Sequence, residues 1–295
     1  MTTATTDPEI SHPTQPTLEV PQLARLPRER LTTREIIDSL PFLGVHLVAL
    51  VGALVVLPSW GDVALCLGVW YVRIFGISLA YHRYFAHRTF KTSRPFQFLL
   101  AFWAMTSAQK GVLWWAGHHR NHHRYTDMPG DPHSPARSGF FWSHMGWILS
   151  HRNADAPLDV IRDMARFPEL RWLERWQYLP PALLAIALLL AGGVHALIWG
   201  FFVSTVILYH TTFAINSIAH EFGKRVYPTT DTSRNNWVLS LLTAGEGWHN
   251  NHHFFCSSAR LGFHWWQYDP TYLAILAFAK LGLIWDVSVP PKRVL

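Results

Sequence analysis

Four long apolar runs govern what this chain can become. Residues 40–57 and 63–81 are nearly free of charge and are separated only by Pro58, Ser59, Trp60, Gly61 and Asp62. Each approaches the ~20 residues an α-helix needs to cross the hydrocarbon core of a bilayer, and so short a turn allows only an antiparallel pair. Residues 179–191 and 194–219 repeat the arrangement about Gly192-Gly193, with a first arm that is short for a span. Charged residues make up 15% of the chain, against ~25% in an ordinary soluble domain. Water-facing surface is therefore scarce.

Basic residues orient the pairs. Arg25, Arg28, Arg30 and Arg34 precede the first, and Arg83, Arg88, Lys91 and Arg94 follow it; the turn between its arms has no Lys or Arg. Arg171 and Arg175 precede the second pair, and Lys224 and Arg225 follow. Positive residues stay cytoplasmic. The expected fold is an all-α, multi-pass membrane protein: four transmembrane helices as two hairpins, with a cytoplasmic helical cap built from residues 82–178 and 220–295. Residues 36–295 are expected to form one membrane domain, and the Thr- and Pro-rich residues 1–35 a disordered tail. The apolar stretch 96–115 carries Gln109 and Lys110 near its end, which suggests an interfacial or buried helix; a fifth span would put the two polar regions on opposite sides. Arg73, inside the second run, should face the bundle interior. The net charge of +6 fits nucleic acid or an anionic membrane surface. The apolar runs and 15 tryptophans favour membrane lipid and no nucleic-acid partner. Two cysteines cannot form a disulfide framework or hold an iron–sulfur cluster alone.

Half of the 18 histidines fall into four clusters beside these runs. They are His82…His87, His119-Arg-Asn-His122-His123, Asn216…His220 and His249-Asn-Asn-His252-His253. Positions i, i+3 and i+4 share a helix face, so each HxxHH can present three imidazoles together. Asn216 and His220 are one turn apart. The five-residue spacing of His82 and His87 suits a single face poorly, so the two should straddle a helix end or flank a metal pair. Neutral imidazole is the commonest protein metal ligand. Nine are too many for one ion and suit two; nitrogen donors fit iron, copper, zinc or nickel by softness. His46, His195 and His210 are isolated on apolar faces and read as hydrogen-bonded core residues.

HRYFAHRT (82–89), WAGHHRNHH (115–123), DPHSPARSGFFWSHMGW (131–147), NSIAH (216–220) and GEGWHNNHH (245–253) together resemble the membrane fatty acid desaturases, in particular the Δ9 acyl-CoA and acyl-lipid members. The resemblance spans about residues 40–290. It implies two Fe(2+) ions held by His82, His87, His119, His122, His123, His220, His249, His252 and His253, with Asn216 holding a metal-bound water. It also implies a bent acyl tunnel lined by Gln109, Trp115 and Thr212; as a tryptophan, Trp115 suits an interfacial place equally. His118 lies outside the motif. Animal acyl-CoA members carry a charged pair where this chain has Gly117-His118, a departure at the CoA-reading position. Asp127, Asp131 and Glu246 are candidates to hold the far nitrogens of ligand imidazoles, and Asp131 before Pro132 also suits a turn.

An unactivated methylene C–H has no acidity for a general base to exploit; its removal needs a strong oxidant, which amino acids do not supply and a metal with O₂ can. The implied function is an O₂-dependent di-iron desaturase that places a cis double bond in a saturated acyl chain carried on CoA or a lipid. Electrons would come from an external donor, a ferredoxin or a cytochrome b5-type protein with its reductase. Two alternatives are a related hydroxylase or ketolase, and a histidine-rich metal transporter; the latter would place its ligands mid-membrane.

Overall fold

The computed structural model describes residues 31–294, so almost all of the expected tail lies outside the described residues. Thr33–Glu35, at the end of the stretch assigned to that tail, instead open a helix, α1 (Thr33–Asp38), because Thr32 and Glu35 cap it reciprocally. The Glu35 carboxylate also accepts from Ser150 Oγ and the His151 amide, which anchors α1 to the cap.

Helix α2 (Leu40–Val55) and helix α3 (Trp60–Ala86) form the first apolar pair. A second capping box, Ser59 with Asp62, starts α3. The helix does not stop at residue 81: its last 11 residues, Gly76–Ala86, are π-helical and fully buried. The second apolar pair is a 43-residue helical run, Leu179–Glu221, broken where Gly192 and Gly193 leave helical geometry. At φ +64° and ψ −153°, Gly193 occupies a region that side chains disfavour. The arms, α8 (residues 179–191) and α9 (residues 194–221), fold back on each other. Gly200 of α9 lies so close to Leu188 of α8 that an added Cβ would stand 3.2 Å from the leucine.

The two turns meet at one end. Asp62 Oδ2 lies 3.1 Å from His195 Nδ1, and Trp199 Nε1 donates to the Val56 carbonyl at 2.9 Å. Trp60–Ala86 and Leu179–Glu221 are each long and apolar enough to cross a membrane; α2, at 16 residues, is shorter. Apolar side chains project outward near the turns, Val55 at 75% exposure and Leu190 at 82%. Such exposure suits lipid better than water. Arg73 is buried as expected, donating to Thr205 Oγ1 and Ser204 Oγ on α9.

The remaining described helices gather toward the opposite end. The stretch 96–115 is not one helix: α4 (Arg94–Met105) and α5 (Val112–Tyr125) are separated by a turn in which Ala108 and Lys110 have positive φ. Next come a short π-helical run, α6 (Trp142–Gly146), and the amphipathic α7 (Pro168–Arg175). Beyond α9 lie α10 (Trp237–Leu242), α11 (His249–Phe254) and α12 (Pro270–Lys280). Strands β1 (Lys91–Thr92) and β2 (Ile284–Trp285) pair antiparallel, tying the end of the chain to the segment after α3.

Glu174 of α7 caps α5 from a distance, accepting from the Leu113 and Trp114 amides at 2.7 and 3.2 Å. Burial pushes its carboxyl up to about 7 despite those bonds and nearby Lys110. A raised carboxyl stabilises the fold fully below its unfolded value, and that contribution is lost as pH rises through 7. Relative to wild type, Glu174→Gln should therefore gain about 3 kcal/mol between pH 4.5 and pH 8. Thermal unfolding in detergent across that range checks it; a constant difference would contradict the assignment.

Candidate metal centre

The π-helical end of α3 resolves the five-residue spacing of His82 and His87. The His87 amide bonds to the His82 carbonyl at 3.1 Å, an i→i+5 bond, and the rings stand 4.8 Å apart. A π turn brings onto one side residues that an α-helix would splay. The two do straddle a helix end, His82 inside the π-helical run and His87 at its C-cap, and the π turn lets them share one group rather than flank two.

The two HxxHH segments behave differently from three ligands facing one way. Each lies astride two groups. His119 and His123 of α5 and His252 of α11 join His82 and His87; His122 of α5 joins His220 of α9 with His249 and His253 of α11. Within each group one nitrogen per residue lies within 4.8 Å of all the others. The i, i+4 pair of α5 thus serves the first group and its i+3 residue the second, while α11 does the reverse. Gly247, just before α11, has no room for a side chain: a Cβ would stand 2.2 Å from the Ser240 amide nitrogen.

Inward-facing nitrogens crowd one another. His252 Nε2 is 2.9 Å from both His82 Nε2 and His123 Nε2; His87 and His119 meet at 2.9 Å, and His220 and His249 at 3.0 Å. The far nitrogens of four rings stand beside oxygen. His82 Nδ1 is 2.5 Å from Glu246, His122 Nδ1 3.0 Å from Asp131, and His253 Nδ1 2.9 Å from Asp231. His220 Nδ1 donates at 3.1 Å to Thr232 Oγ1, whose own proton goes to Asp127 at 2.8 Å. A neutral imidazole carries one proton. With that proton on Nδ1, each Nε2 presents a lone pair inward, and the Nε2 atoms of His122 and His253 are buried without a partner. Burial, then neighbouring histidines, drives His119, His123 and His252 well below the ordinary imidazole range, so they stay neutral at pH 7. Convergent neutral lone pairs repel unless a cation sits among them. The donor set therefore fits two cations of the nitrogen-binding type.

Sequence spacing pointed to Asp127, Asp131 and Glu246 but not to Asp231 or Thr232. Those two lie on an irregular loop with no periodic signal, and only the fold carries them to His253 and His220. Asp131 does both jobs expected of it: beyond holding His122, it accepts from the Asp127 and His133 amides. Glu246 also pairs with Arg83 at 3.1 Å and accepts from Ser78 Oγ; Arg83 pairs with Asp269 at 2.9 Å. Burial alone would raise the Glu246 carboxyl, but His82 and Arg83 beside it hold it at about 2.

A cavity of about 320 Å³ opens beside the cage and reaches between α2, α8 and α9. Gln109, Trp115, Thr212 and Asn216 line it together with His119. Trp115 lies between Tyr81 and His119, stacked at 5.3 and 5.0 Å. Asn216 is not isolated on its turn: its carbonyl accepts from Ser143 Oγ of α6. His46 and His210 lie 3.3 Å apart at their Nε2 atoms, and His210 continues to His144 at 3.0 Å, outside the cage. His118 points away toward the Asp155 carbonyl at 3.2 Å.

Comparison with known proteins adds a lineage. A family model described as fatty acid desaturase matches residues 58–286. The chain is 37% identical over 260 residues to the sn-1 stearoyl-lipid 9-desaturase of Anabaena variabilis, covering 87% of this chain and 95% of that protein. It is 37% identical over 238 residues to the acyl-CoA C20 Delta5-desaturase of Anemone leveillei, covering 79% and 76%. It is 39% identical over 225 residues to the Delta-9 acyl-lipid desaturase 2 of Arabidopsis thaliana, covering 74% and 71%.

Proposed function

The chain belongs to the fatty acid desaturase family and is a fatty acyl desaturase, an oxidoreductase acting on acyl chains, and from that premise we propose that its nine clustered imidazoles hold two iron ions. The observation that carries the reading is the division into sets of five and four, with outer nitrogens fixed by oxygen and lone pairs turned inward. Bound iron with O₂ supplies an oxidant for an unactivated C–H bond, which no side chain can. Overall, a saturated acyl chain, O₂, two electrons and two protons give a cis double bond and two waters. An external donor of the ferredoxin or cytochrome b5 type supplies the electrons.

The chain's own residues orient and exclude. His119 and Asn216 border both cage and cavity, so a chain threaded there passes the metals at one fixed carbon. Gln109, Trp115 and Thr212 set its path, and a C-9 position is the one we assign. The carrier is a membrane glycerolipid. What supports this is the Gly117-His118 position: Gly117 packs on Pro157, and burial brings His118 down to about 4, neutral at pH 7. Neither residue at that position offers a charge to a nucleotide phosphate. Four spans in two hairpins, with both turns at one end and the cage at the cytoplasmic end, complete the reading.

Expression in a host lacking this double bond tests it. Gas chromatography should show a new cis-monounsaturated chain in wild type and none with His122→Ala, and pulse-labelling should place it first in glycerolipid. Identical profiles for the two proteins would sink the desaturase assignment. Label appearing first in acyl-CoA would overturn the carrier.

A further inference from the structure

One imidazole beside the cage has no assigned work. His133 follows Asp131-Pro132 on the loop between α5 and α6 and is 3% exposed. Its ring stacks on His122 at 4.2 Å and leans on Trp147 at 4.8 Å. Its Nδ1 is buried without a hydrogen-bond partner. A buried polar atom left unpaired costs about 1–3 kcal/mol, and such a group calls for a ligand or a role.

Its placement is not accidental to the cage. Asp131 Oδ1 accepts from the His133 amide at 3.1 Å and contacts His122 Nδ1 at 3.0 Å, so one oxygen sets both residues. The Pro132 carbonyl accepts from Trp142 Nε1 at 3.0 Å, pinning the loop to α6. His133 also lines the cavity, together with Asn216 and His119. The second group has four imidazoles where the first has five, and one ligand atom each of His133 and Asp131 lies within 4.8 Å of its His122. The wall mixes aromatic rings with Gln109, Lys110, Thr212 and Asn216, and a proton on the unpartnered Nδ1 of His133 would make that residue a further hydrogen-bond donor beside the cage.

We propose that His133 positions the small oxygen co-substrate at the four-histidine end of the cavity by donating a hydrogen bond to it, and that His133 is not itself a metal ligand. This rests on the two-iron reading above.

Azide, a small anionic acceptor, is the probe. Full-length protein in lipid nanodiscs is titrated with azide and followed by absorption, for wild type, His133→Phe and His133→Gln, with metal per chain measured on each. His133→Phe should weaken azide binding about tenfold, the value of one hydrogen bond to a charged acceptor. It should also raise the share of consumed O₂ released as peroxide. His133→Gln, which keeps a donor, should recover most of both, and metal content should match in all three. Equal azide affinities overturn the proposal, and so does loss of metal in both variants, which would make His133 a ligand. Wild type that binds neither metal nor azide removes the two-iron reading itself.

Discussion

Replacement of His252 by alanine is expected to abolish double-bond formation while leaving a folded, metal-poor protein. His252 is the hub of the five-histidine group, with its Nε2 2.9 Å from the corresponding atoms of both His82 and His123. Removing it takes one donor from the set and lets its two neighbours relax outward. In metal-free protein, three crowded lone pairs become two, a relief that offsets part of the cavity cost of losing a buried ring. In metal-loaded protein nothing offsets the loss. Unsaturated product should fall at least ~100-fold, beyond the 10–100-fold that losing an outer-shell partner costs. Added iron should raise the melting temperature of wild type and not of the variant. Fatty acid profiles from an expressing host, with metal analysis of purified protein, check this. Product at wild-type levels would remove His252 from the ligand set.

Glu246→Gln should have the second largest effect, through two routes. The carboxylate stands 2.5 Å from His82 Nδ1, where its charge favours a proton on that nitrogen, and neutralises Arg83 at 3.1 Å. Both side chains are buried. An amide keeps the shape but loses the charge, so Arg83 is left with Asp269 as its remaining carboxylate. Breaking one side of a buried ion pair costs roughly 3–5 kcal/mol, here moderated by Asp269. On the metal side, an amide can offer its NH₂ to His82 and favour the wrong tautomer, which should weaken metal affinity about 10–100-fold. Titration of bound metal against a competing chelator measures the second effect, and thermal unfolding of metal-free protein the first. Paired values equal to wild type would assign the carboxylate no part in either.

These two residues differ in how visible they were beforehand. His252 stood out because HxxHH occurs twice and imidazole is a metal-binding group. Glu246 could be suspected only as a carboxylate near a cluster; its partners, 163 residues and more back along the chain, are set by how α10 and α11 pack on α3. Asp231 gave no local signal at all, since an aspartate in a Thr-rich loop reads as a turn. His133 was visible only as part of a longer matching stretch. The spacing of His82 and His87 was misleading for a physical reason: it was judged against the α-helical period, and the chain uses a π turn there. The break between α4 and α5 was hidden likewise, because Ala108 and Lys110 adopt positive φ without glycine to announce it.

Composition and order along the chain were enough to settle that the protein is helical, that its apolar runs pair about short turns, and that histidines gather where those runs end. Such properties are local: a run of apolar side chains must leave water, and a turn of five residues must reverse direction. Which imidazole serves which group is a tertiary matter, as is the choice of carboxylate behind each ring. Nitrogens within 4.8 Å of one another come from segments up to 170 residues apart. No spacing rule encodes the relative rotation of α3, α5, α9 and α11. That rotation follows from packing, and it alone turns nine separate side chains into two sets of converging lone pairs.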